Sequence, residues 1–358
     1  MPVDAANIEF YAPRFKIEIN SAELAAEVSH TIQNVEIVKE LNKPNSFRFV
    51  VQDEFKGGAF KWLGHDLFKY GNSVSIHMGY TNNMIKMLEG KIQKITADFI
   101  KGTAPTFTVD GADNPYTFLT TPSGPKVFRD KTDSAIVEEI AEMAHLEAIV
   151  DATEEVAPRK TKKGGKSYLQ FLEDLTAANK GYEFFLAERR LNFVKAKQDA
   201  KSLMTLTWGK ELINFRPALN TTEPYTEVVV RAWDRSGKKL IEGRARAGEE
   251  QKQEEGKRLA SQIAREIYGD VVKVFTNKPV RTVAEAQREA QKELDKASNN
   301  FITGSAETIG IPELQLRVCL SLDGLGDWFS GKYYIKKITH RIDQNGYRSL
   351  FEVRRNAL

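Results

Sequence analysis

The sequence is poor in cysteine: Cys319 is the one residue of this type among 358. A single thiol cannot form an internal disulfide, and a zinc or iron–sulfur centre built from several cysteines is excluded with it. We expect Cys319 to lie in a strand as a small buried hydrophobic residue. This usage is typical of a protein that is made and stays in a reducing cytoplasm.

Long apolar runs and an excess of one charge are also absent. No segment approaches the roughly 18–20 apolar residues of a membrane helix, and residues 1–13 have neither the basic nor the apolar part of a signal peptide. The net charge is +3, which is not the basic excess of a dedicated nucleic-acid binder. We therefore predict no membrane anchor and no specific nucleic-acid partner, and any contact with DNA would be electrostatic and independent of its sequence.

The first third of the chain alternates apolar and polar residues with a period of two. Runs of this kind lie at residues 15–19, 47–51 and 74–80, and turns rich in Gly, Asn and Pro separate them. Short strands with this pattern are typical of a barrel or a sandwich. We predict a first β-domain at residues 1–114.

Helix signals mark the middle of the chain. Asp133 can cap one helix, and Ser167 with Gln170 forms a capping box ahead of a second helix. Gly181 is expected to end that second helix.

Strand signals follow these helices. Residues 182–186 and 191–194 are predicted to pair as a hairpin. The sequence therefore predicts an α+β domain at residues 115–200, with an exposed loop at 154–166.

The rest of the chain, residues 201–358, is predicted to be a second β-domain that a polar, mostly helical insertion interrupts at about 248–300. The insertion is rich in Gln, Glu, Lys and Arg, and Thr282 with Glu285 forms a capping box for its last helix. We expect residues 234–257 to form an exposed loop. The predicted fold class is α+β, mainly β.

A pattern of the first β-domain recurs near the end of the chain. Gly90-Lys91 is followed by Ile-x-Lys-Ile-Thr, a glycine and Phe-x-Val, and residues 331–353 repeat this order with Phe351 in the place of Phe107. An apolar run precedes both copies. The recurrence predicts a duplicated β-unit, and the alternative is a chance similarity between two hairpins.

The second copy of this pattern contains His340. Asn345-Gly346 is the dipeptide preferred by a two-residue type I′ turn, which predicts a hairpin with His340 opposite Phe351. His340 would then lie on a mostly apolar face, and no neighbour supplies the partner acid or nucleophile that general-base catalysis needs. We interpret His340 as a structural residue.

Gly165-Lys166-Ser167 precedes a helix and has part of the character of a phosphate-binding loop. Such a loop requires a glycine five residues before Gly165, where this sequence has Lys160, and no apolar strand leads into the segment. A basic loop followed by a capped helix explains these residues better.

Neighbouring acidic residues at 138–139, 154–155 and 173–174 could suggest a glycosidase. Adjacent residues on a helix point about 100° apart, so such a pair cannot flank one bond. The remaining histidines have no zinc-site spacing: His30, His65, His77 and His145. We predict no catalytic, cofactor-binding or metal-ligating residue, no cofactor, and a protein that is not an enzyme.

The C-terminal segment resembles the closing signature of the phage late control gene D proteins, the central tail-hub proteins of contractile phages and related injection systems. The residues that carry the resemblance are Gly310, Pro312, Gly324, Leu325, Gly326, Phe329, Gly331, Tyr333, His340, Gly346 and Tyr347. Segments 68–92, 167–193 and 284–297 look like the same family, so the resemblance covers almost the whole chain. At Arg317 the family more often has a glycine, and we expect the bend there to be made differently.

The resemblance implies two tail-tube-like β-barrel domains, the α+β middle domain and the helical insertion, assembled as a homotrimeric ring. Three chains would present six similar units to a sixfold tail tube and a threefold platform to a spike. Strands of both barrels would line a central channel, while the middle domain and the insertion would face outward.

The implied partners are other copies of the chain, a tail tube protein and a spike protein, with tape-measure and baseplate wedge proteins as further candidates. The spike is expected to be a separate polypeptide, because this chain ends at the hairpin. The implied location is a virion tail, baseplate or injection particle that is assembled in the host cytoplasm. The alternative function is a tail-associated peptidoglycan hydrolase, which would need a pocket containing an acid of raised pKa.

Overall fold

The computed structural model describes residues 12–81, 83–179, 181–234, 237–278 and 280–358. Strands account for most of its regular structure, which confirms the α+β, mainly β class. No helix within these ranges combines the length and the apolar character needed to cross a membrane.

The N-terminal part consists almost entirely of strands. Its elements are β1 (Pro13–Ile19), β2 (Ala22–Glu23), α1 (Ala26–Ser29), β3 (Ile32–Glu40), β4 (Ser46–Gln52), β5 (Phe55–Lys56), β6 (Ala59–Phe60), β7 (Ser73–Tyr80), β8 (Asn83–Asp98) and β9 (Thr106–Asp113). Alternate residues of the long strands are buried, for example Val74, Ile76 and Met78 in β7. The period-two pattern of the sequence thus marks the core face of each strand.

The middle part mixes helices and short strands. Its elements are α2 (Tyr116–Thr120), β10 (Lys126–Thr132), α3 (Asp133–Met143), β11 (Glu147–Val150), β12 (Val156–Lys162), α4 (Tyr168–Ala178), β13 (Tyr182–Ala187) and β14 (Arg190–Lys195). The predicted hairpin is present, because β13 pairs with β14 and Ala187 lies opposite Arg190. Helices α3 and α4 share an apolar core with this hairpin.

The C-terminal part has strands on either side of two helices. Its elements are β15 (Thr205–Thr207), β16 (Leu212–Leu219), β17 (Glu227–Asp234), β18 (Lys239–Arg246), α5 (Ala260–Tyr268), β19 (Val272–Phe275), α6 (Val283–Asn299), β20 (Ile302–Ile309), β21 (Cys319–Asp323), α7 (Gly326–Phe329), β22 (Gly331–Asp343) and β23 (Gly346–Arg355). Helix α6 packs Ala286, Ala290 and Leu294 on β17 and β18. Cys319 is buried in β21, as predicted.

Strands from both ends of the chain form one large sheet. Its order is β16-β20-β23-β22-β3-β4-β9-β8-β7-β1-β2, and β21 with β15 extends it beside the first part of β22. The antiparallel pairing of β22 with β3 joins the two halves. The regions that the sequence divides into two barrels therefore share one sheet, which does not close on itself within the described residues.

One face of this sheet covers two apolar clusters. Phe49 and Phe68 belong to the cluster beneath β3, β4 and β7 to β9, and Tyr333 and Ile338 belong to the cluster beneath β20 to β23. Polar and charged residues occupy the opposite face.

The helix caps agree closely with the sequence signals. Ser167 and Gln170 form the reciprocal capping box of α4, and the side chain of Thr282 accepts a hydrogen bond from the amide of Glu285 at the start of α6. In α3 the capping residue is Thr132, one position before the predicted Asp133, and its hydroxyl accepts from the amide of Ala135.

Two segments predicted to be exposed loops are different in the structure. Residues 154–166 contain strand β12, which ends at the buried Lys162, and residues 234–257 contain strand β18. Residues 248–257 are not helical, although the insertion was expected to be mostly helical there, and Glu250 and Gln253 are buried in this stretch. Charge alone does not indicate exposure when local partners satisfy the polar groups. The Lys162 ammonium, for instance, donates to three backbone carbonyls.

The predicted register of the last hairpin is wrong by one position in the turn. Asp343 pairs with Gly346, so His340 lies opposite Ser349 and not opposite Phe351. The carboxylate of Asp343 accepts from the amide of Asn345 at 2.7 Å, and Gly346 has φ +96°, which together move the turn to residues 344–345. Asp at the first position and glycine at the left-handed position are typical of a type I turn with a bulge.

We predict that Gly310→Ala destabilises the fold. An added Cβ would lie 1.9 Å from Cγ of Tyr347, so the buried Tyr347 ring would have to move. Overpacking of this kind costs about 1–3 kcal/mol of unfolding free energy. Urea denaturation measures the loss, and Gly124→Ala, where the added atom has no neighbour within 4 Å, is the matched control. Equal stability of both variants would contradict the packing described here.

Candidate assembly surface

The repeat predicted from the sequence is present in the strand order and in the bulges. The order β3-β4-β9-β8 of the first half corresponds to β16-β20-β23-β22 of the second half. The register shifts between Ile92 and Lys94 in β8, and between Ile335 and Lys337 in β22. Each shift falls within the same Ile-x-Lys motif. Because a bulge is a specific feature of a strand pair, this agreement supports the duplication.

A second pair of bulges aligns the other strands. The register shifts between Ile32 and Asn34 in β3, and between Leu212 and Asn214 in β16. We call the two corresponding groups repeat 1 (β3, β4, β8, β9) and repeat 2 (β16, β20, β22, β23).

The bulges also correct the sequence alignment of the repeats. Ile92 lies opposite Gly111, and its counterpart Ile335 lies opposite Val353. Counting back from these pairs makes Val109, and not Phe107, the counterpart of Phe351. The repeat in the sequence was aligned on Gly102 and Gly346, but the connection between β8 and β9 is longer than that between β22 and β23. The alignment of β9 with β23 was therefore displaced by two residues.

The junction of the repeats is the pairing of β22 with β3. Residues 337–342 pair with residues 35–40 in an antiparallel register. On the polar face, the Arg341 guanidinium donates from Nε and Nη2 to Oε2 of Glu36 at 2.9 and 2.6 Å. This junction links the two repeats side by side.

His340 lies at the centre of this junction and is fully buried. Its Nε2 is 3.0 Å from the carbonyl oxygen of Leu314, which can only accept, so Nε2 carries the proton and Nδ1 is an acceptor. The hydroxyls of Tyr347 and Ser349 lie 2.9 and 3.2 Å from Nδ1. Burial, with a smaller contribution from the positive charge of Lys39, lowers the pKa of His340 to about 3. His340 is therefore neutral and fully buried, and both ring nitrogens have hydrogen-bond partners.

In the described part of the chain, the strands that correspond to this junction each have one free edge at the two ends of the repeats. Residues 94–98 of β8 have β9 on one side, whereas β7 pairs only with residues 83–91. Strand β16 pairs along its length only with β20 in the described part of the chain. Ile95 is 39% exposed, whereas its counterpart Ile338 is 0% exposed. Each free edge thus exposes residues that the internal junction buries.

The polar face of the sheet carries a row of alternating charges. Adjacent strands place Arg341, Glu36, Arg48, Asp110 and Lys94 side by side. Arg48 and Asp110 form an ion pair at 2.7 Å. Opposite charges on neighbouring strands stabilise the sheet and leave this face with little net charge.

The middle part of the chain docks on the sheet through Glu183, a buried carboxylate in β13. Its oxygens accept from the Tyr334 hydroxyl at 2.5 Å and from Arg354 Nη2 at 2.6 Å, and Arg317 Nε lies 3.5 Å away. Sequence analysis missed this contact. An acidic residue within an apolar strand run was the signal that could have indicated it.

Arg317 makes the bend where the resembling family more often has glycine. Its φ is +67°, in the left-handed region that glycine favours. The side chain donates from Nη2 to the carbonyl of Lys195 at 2.7 Å and stacks over the ring of Phe185, with 5.0 Å to the centroid. These contacts offset the backbone strain.

The motifs that could have carried chemistry are engaged in structural contacts. Lys166 forms an ion pair with Asp174, and Ser167 caps α4, so the loop at residues 163–167 has the structural role that its sequence favours. Glu139 pairs with Lys126 and Lys131. No group of three or more metal-ligating side chains occurs among the residues that the structure describes.

A cleft of about 540 Å³ lies between α4, α6 and the sheet. It contains both acidic and basic side chains, including Glu173 and Lys296. The acid with the most raised pKa, Asp113, is buried elsewhere. Burial raises the pKa of Asp113 to about 7, while the amide of Asn45, which donates to it at 2.8 Å, opposes the shift.

The sequence profile of the family described as Alg8 N-terminal domain matches residues 11–344. This profile is not that of the late control gene D proteins. No curated protein is significantly similar to the sequence.

Solved structures share the fold over nearly the whole chain. The 43 kDa tail protein of prophage MuSo2 from Shewanella oneidensis has a TM-score of 0.73 at 14% identity, over 96% of this chain and 98% of that chain. A tail protein from Neisseria meningitidis MC58 has a TM-score of 0.70 at 13% identity, over 96% and 97%. A component of the type VI secretion system from E. coli has a TM-score of 0.57 at 12% identity, over 94% and 76%. At these identities the similarity is one of fold.

We predict that His340 makes stability depend on pH below neutrality. Its pKa is about 3 in the folded protein and about 6.5 in an unfolded chain, so the unfolded chain binds the proton more readily between these values. The contribution of His340 is therefore fully present above pH 6.5 and is lost as the pH falls towards 3, by up to about 1.4 kcal/mol per pH unit.

Urea denaturation of the parent and of His340→Gln across this pH range measures the effect. Gln can donate to the Leu314 carbonyl and accept from Tyr347, but it does not titrate. We expect a shallower decline for the variant, and identical pH profiles would show that folding does not lower the pKa of His340.

We predict that Glu183→Gln loosens the middle part of the chain from the sheet. The change leaves the guanidinium groups of Arg354 and Arg317 without their carboxylate, at a cost of about 2–4 kcal/mol. Limited proteolysis and thermal unfolding measure the effect. Glu188→Gln, in the exposed turn of the same hairpin, is the control and should have little effect. A stability loss in Glu188→Gln as large as in Glu183→Gln would contradict this assignment.

Proposed function

The chain belongs to the Alg8 N-terminal domain family, and from this membership and its fold we propose that it is a structural hub protein of a phage tail, baseplate or related contractile injection system. In this proposal three copies form a ring that connects a sixfold tail tube to a threefold spike. The fold is shared with tail proteins and with a type VI secretion component, which supports this class of function. The resemblance to the late control gene D proteins supports the hub position within it.

The single observation that carries the proposal is the β22–β3 junction. It joins two corresponding repeats in one chain, and the corresponding edges of β8 and β16 have no partner strand among the residues that the structure describes. A junction of the same kind between copies would continue the pattern from one chain to the next. If the rotation closes after three chains, the ring contains six similar repeats and matches a sixfold partner.

We further propose that residues 1–114 and 201–358 are the two tube-like domains and that residues 115–200 and the helical insertion face outward. The polar face of the sheet would line the central channel. Its alternating charges favour a passage over a binding site for one ligand. The partners would be other copies of the chain, a tail tube protein and a spike protein, with tape-measure and wedge proteins as further candidates.

The proposed role needs no catalytic residue. His340 is neutral and buried, and one member of each neighbouring acidic pair forms an ion pair, namely Glu139, Glu155 and Asp174. Function would depend on shape complementarity and on interfaces large enough to withstand sheath contraction. The particle that contains the hub would be assembled in the host cytoplasm.

We predict that the purified chain forms trimers. Native mass spectrometry over a range of protein concentrations, with and without a spike protein from the same source, measures the number of copies. Negative-stain electron microscopy of the trimer should show a ring with six similar lobes. A protein that stays monomeric under all these conditions, or that hydrolyses peptidoglycan without assembling, would contradict the hub.

A further inference from the structure

The free edges at the two ends of the repeats correspond to the two strands of the internal junction. In repeat 2, residues 337–342 of β22 are covered by β3. Residues 94–98 of β8 correspond to most of this segment, and β16 corresponds to β3. We propose that β16 of one copy pairs with the second half of β8 of the next copy, in the register of the β22–β3 junction. This inference rests on the proposed ring and specifies the contact that closes it.

The bulges fix the register of this contact. Aligning Ile92 with Ile335 places residues 94–99 over 337–342, and aligning Ile32 with Leu212 places residues 215–220 over 35–40. The internal junction then gives the pairs between copies: Lys94 with Asn220, Ile95 with Leu219, Thr96 with Ala218, Ala97 with Pro217, Asp98 with Arg216, and Phe99 with Phe215.

The apolar members of these pairs lie on the face that the internal junction buries. Ile95 and Phe99 are 39% and 62% exposed in the isolated chain. Their counterparts Ile338 and Ile342 are buried at the internal junction, with 0% and 7% exposure. Pairing with Leu219 and Phe215 would remove this exposed apolar surface from water.

The charged pair has the opposite orientation to that of the internal junction. In the chain, β22 supplies Arg341 and β3 supplies Glu36. Between copies, β8 would supply Asp98 and β16 would supply Arg216. Neither Asp98 nor Arg216 has an ion-pair partner among the described residues.

This reversal provides specificity. If β8 of one copy met β3 of another, Asp98 would face Glu36, and if β16 met β22, Arg216 would face Arg341. Like charges directly opposite each other destabilise both wrong pairings. The charges would therefore oppose any arrangement in which β8 or β16 of another copy displaces a strand of the internal junction.

Pro217 lies at the centre of the free edge. The amide of Leu41 donates to the carbonyl oxygen of Lys336 at 3.0 Å, so the amides of the odd-numbered residues of β3 point towards β22. Pro217 corresponds to one of these residues, Ile37. The amide of Asn220 donates to the carbonyl oxygen of Phe301, so the amides of the even-numbered residues of β16 point towards β20. The backbone nitrogen of Pro217 therefore points towards the free edge, where it cannot donate. The contact between copies would have one hydrogen bond fewer than the internal one. A proline on an edge strand also limits unspecific pairing.

Cysteine cross-linking tests the register. Thr96 and Ala218 correspond to Thr339 and Val38, a directly opposite pair that exchanges no backbone hydrogen bonds, where Cβ atoms are close enough for a disulfide. In one chain six strands of the sheet order lie between β16 and β8, so an internal disulfide is excluded. The natural Cys319 is buried and does not compete.

We expect the double variant T96C/A218C to form disulfide-linked species under mild oxidation, in a ladder that ends at three copies on a non-reducing gel. The matched control, T96C/R216C, places the second thiol two residues away on the same face, roughly 7–8 Å from the first, and should cross-link several-fold less. A ladder continuing beyond three copies would indicate an open filament and would overturn the ring contact.

Charge reversal tests the ion pair. Asp98→Arg or Arg216→Asp alone should weaken trimer formation at least about tenfold, because three contacts per ring are affected, and the double reversal should restore it to within about threefold. Both residues are exposed in the isolated chain, so the variants should fold normally.

If native mass spectrometry detects trimers but T96C/A218C does not cross-link, or both cysteine pairs react equally, this contact is wrong and the hub proposal stands. If no trimers form under any condition, both are wrong.

Discussion

The pairing of β22 with β3 is the interaction on which the rest of the structure depends. It brings the first and last parts of the chain into one sheet and places a neutral histidine, a buried tyrosine and an ion pair at their boundary. Because β22 extends beyond β21, it provides strand length for both its own repeat and the neighbouring one. Without this pairing the chain would be two separate β-units with no defined relative orientation.

The sequence predicted the elements that local chemistry determines. The capping box at Ser167 and Gln170, the hairpin of β13 and β14, and the buried stripe of α6 agree with the structure. Each depends on residues close together in the chain, and few alternatives compete with it. The duplication was also visible, because Ile-x-Lys marks the bulge in both repeats.

The turn geometry, the burial of charged residues and the pairing of distant strands could not be predicted from local sequence. Asn345-Gly346 is the dipeptide of a type I′ turn, but the turn lies at residues 344–345, where the Asp343 carboxylate accepts from the amide of Asn345. Lys162 and Glu183 are buried because backbone carbonyls and arginines from other elements satisfy them. The union of two β-regions in one sheet depends on strand edges, whose partners are not encoded in a local pattern.

The alternating charges of the polar face have a consequence for any polymer that moves along it. Neighbouring opposite charges partly cancel each other's fields, and salt screens what remains beyond about 8–10 Å, so a passing chain of either sign would meet no sustained attraction or repulsion. If this face lines the channel of the proposed hub, it would neither retain a cargo nor select one by charge. The direction of movement would then have to be set by forces applied elsewhere.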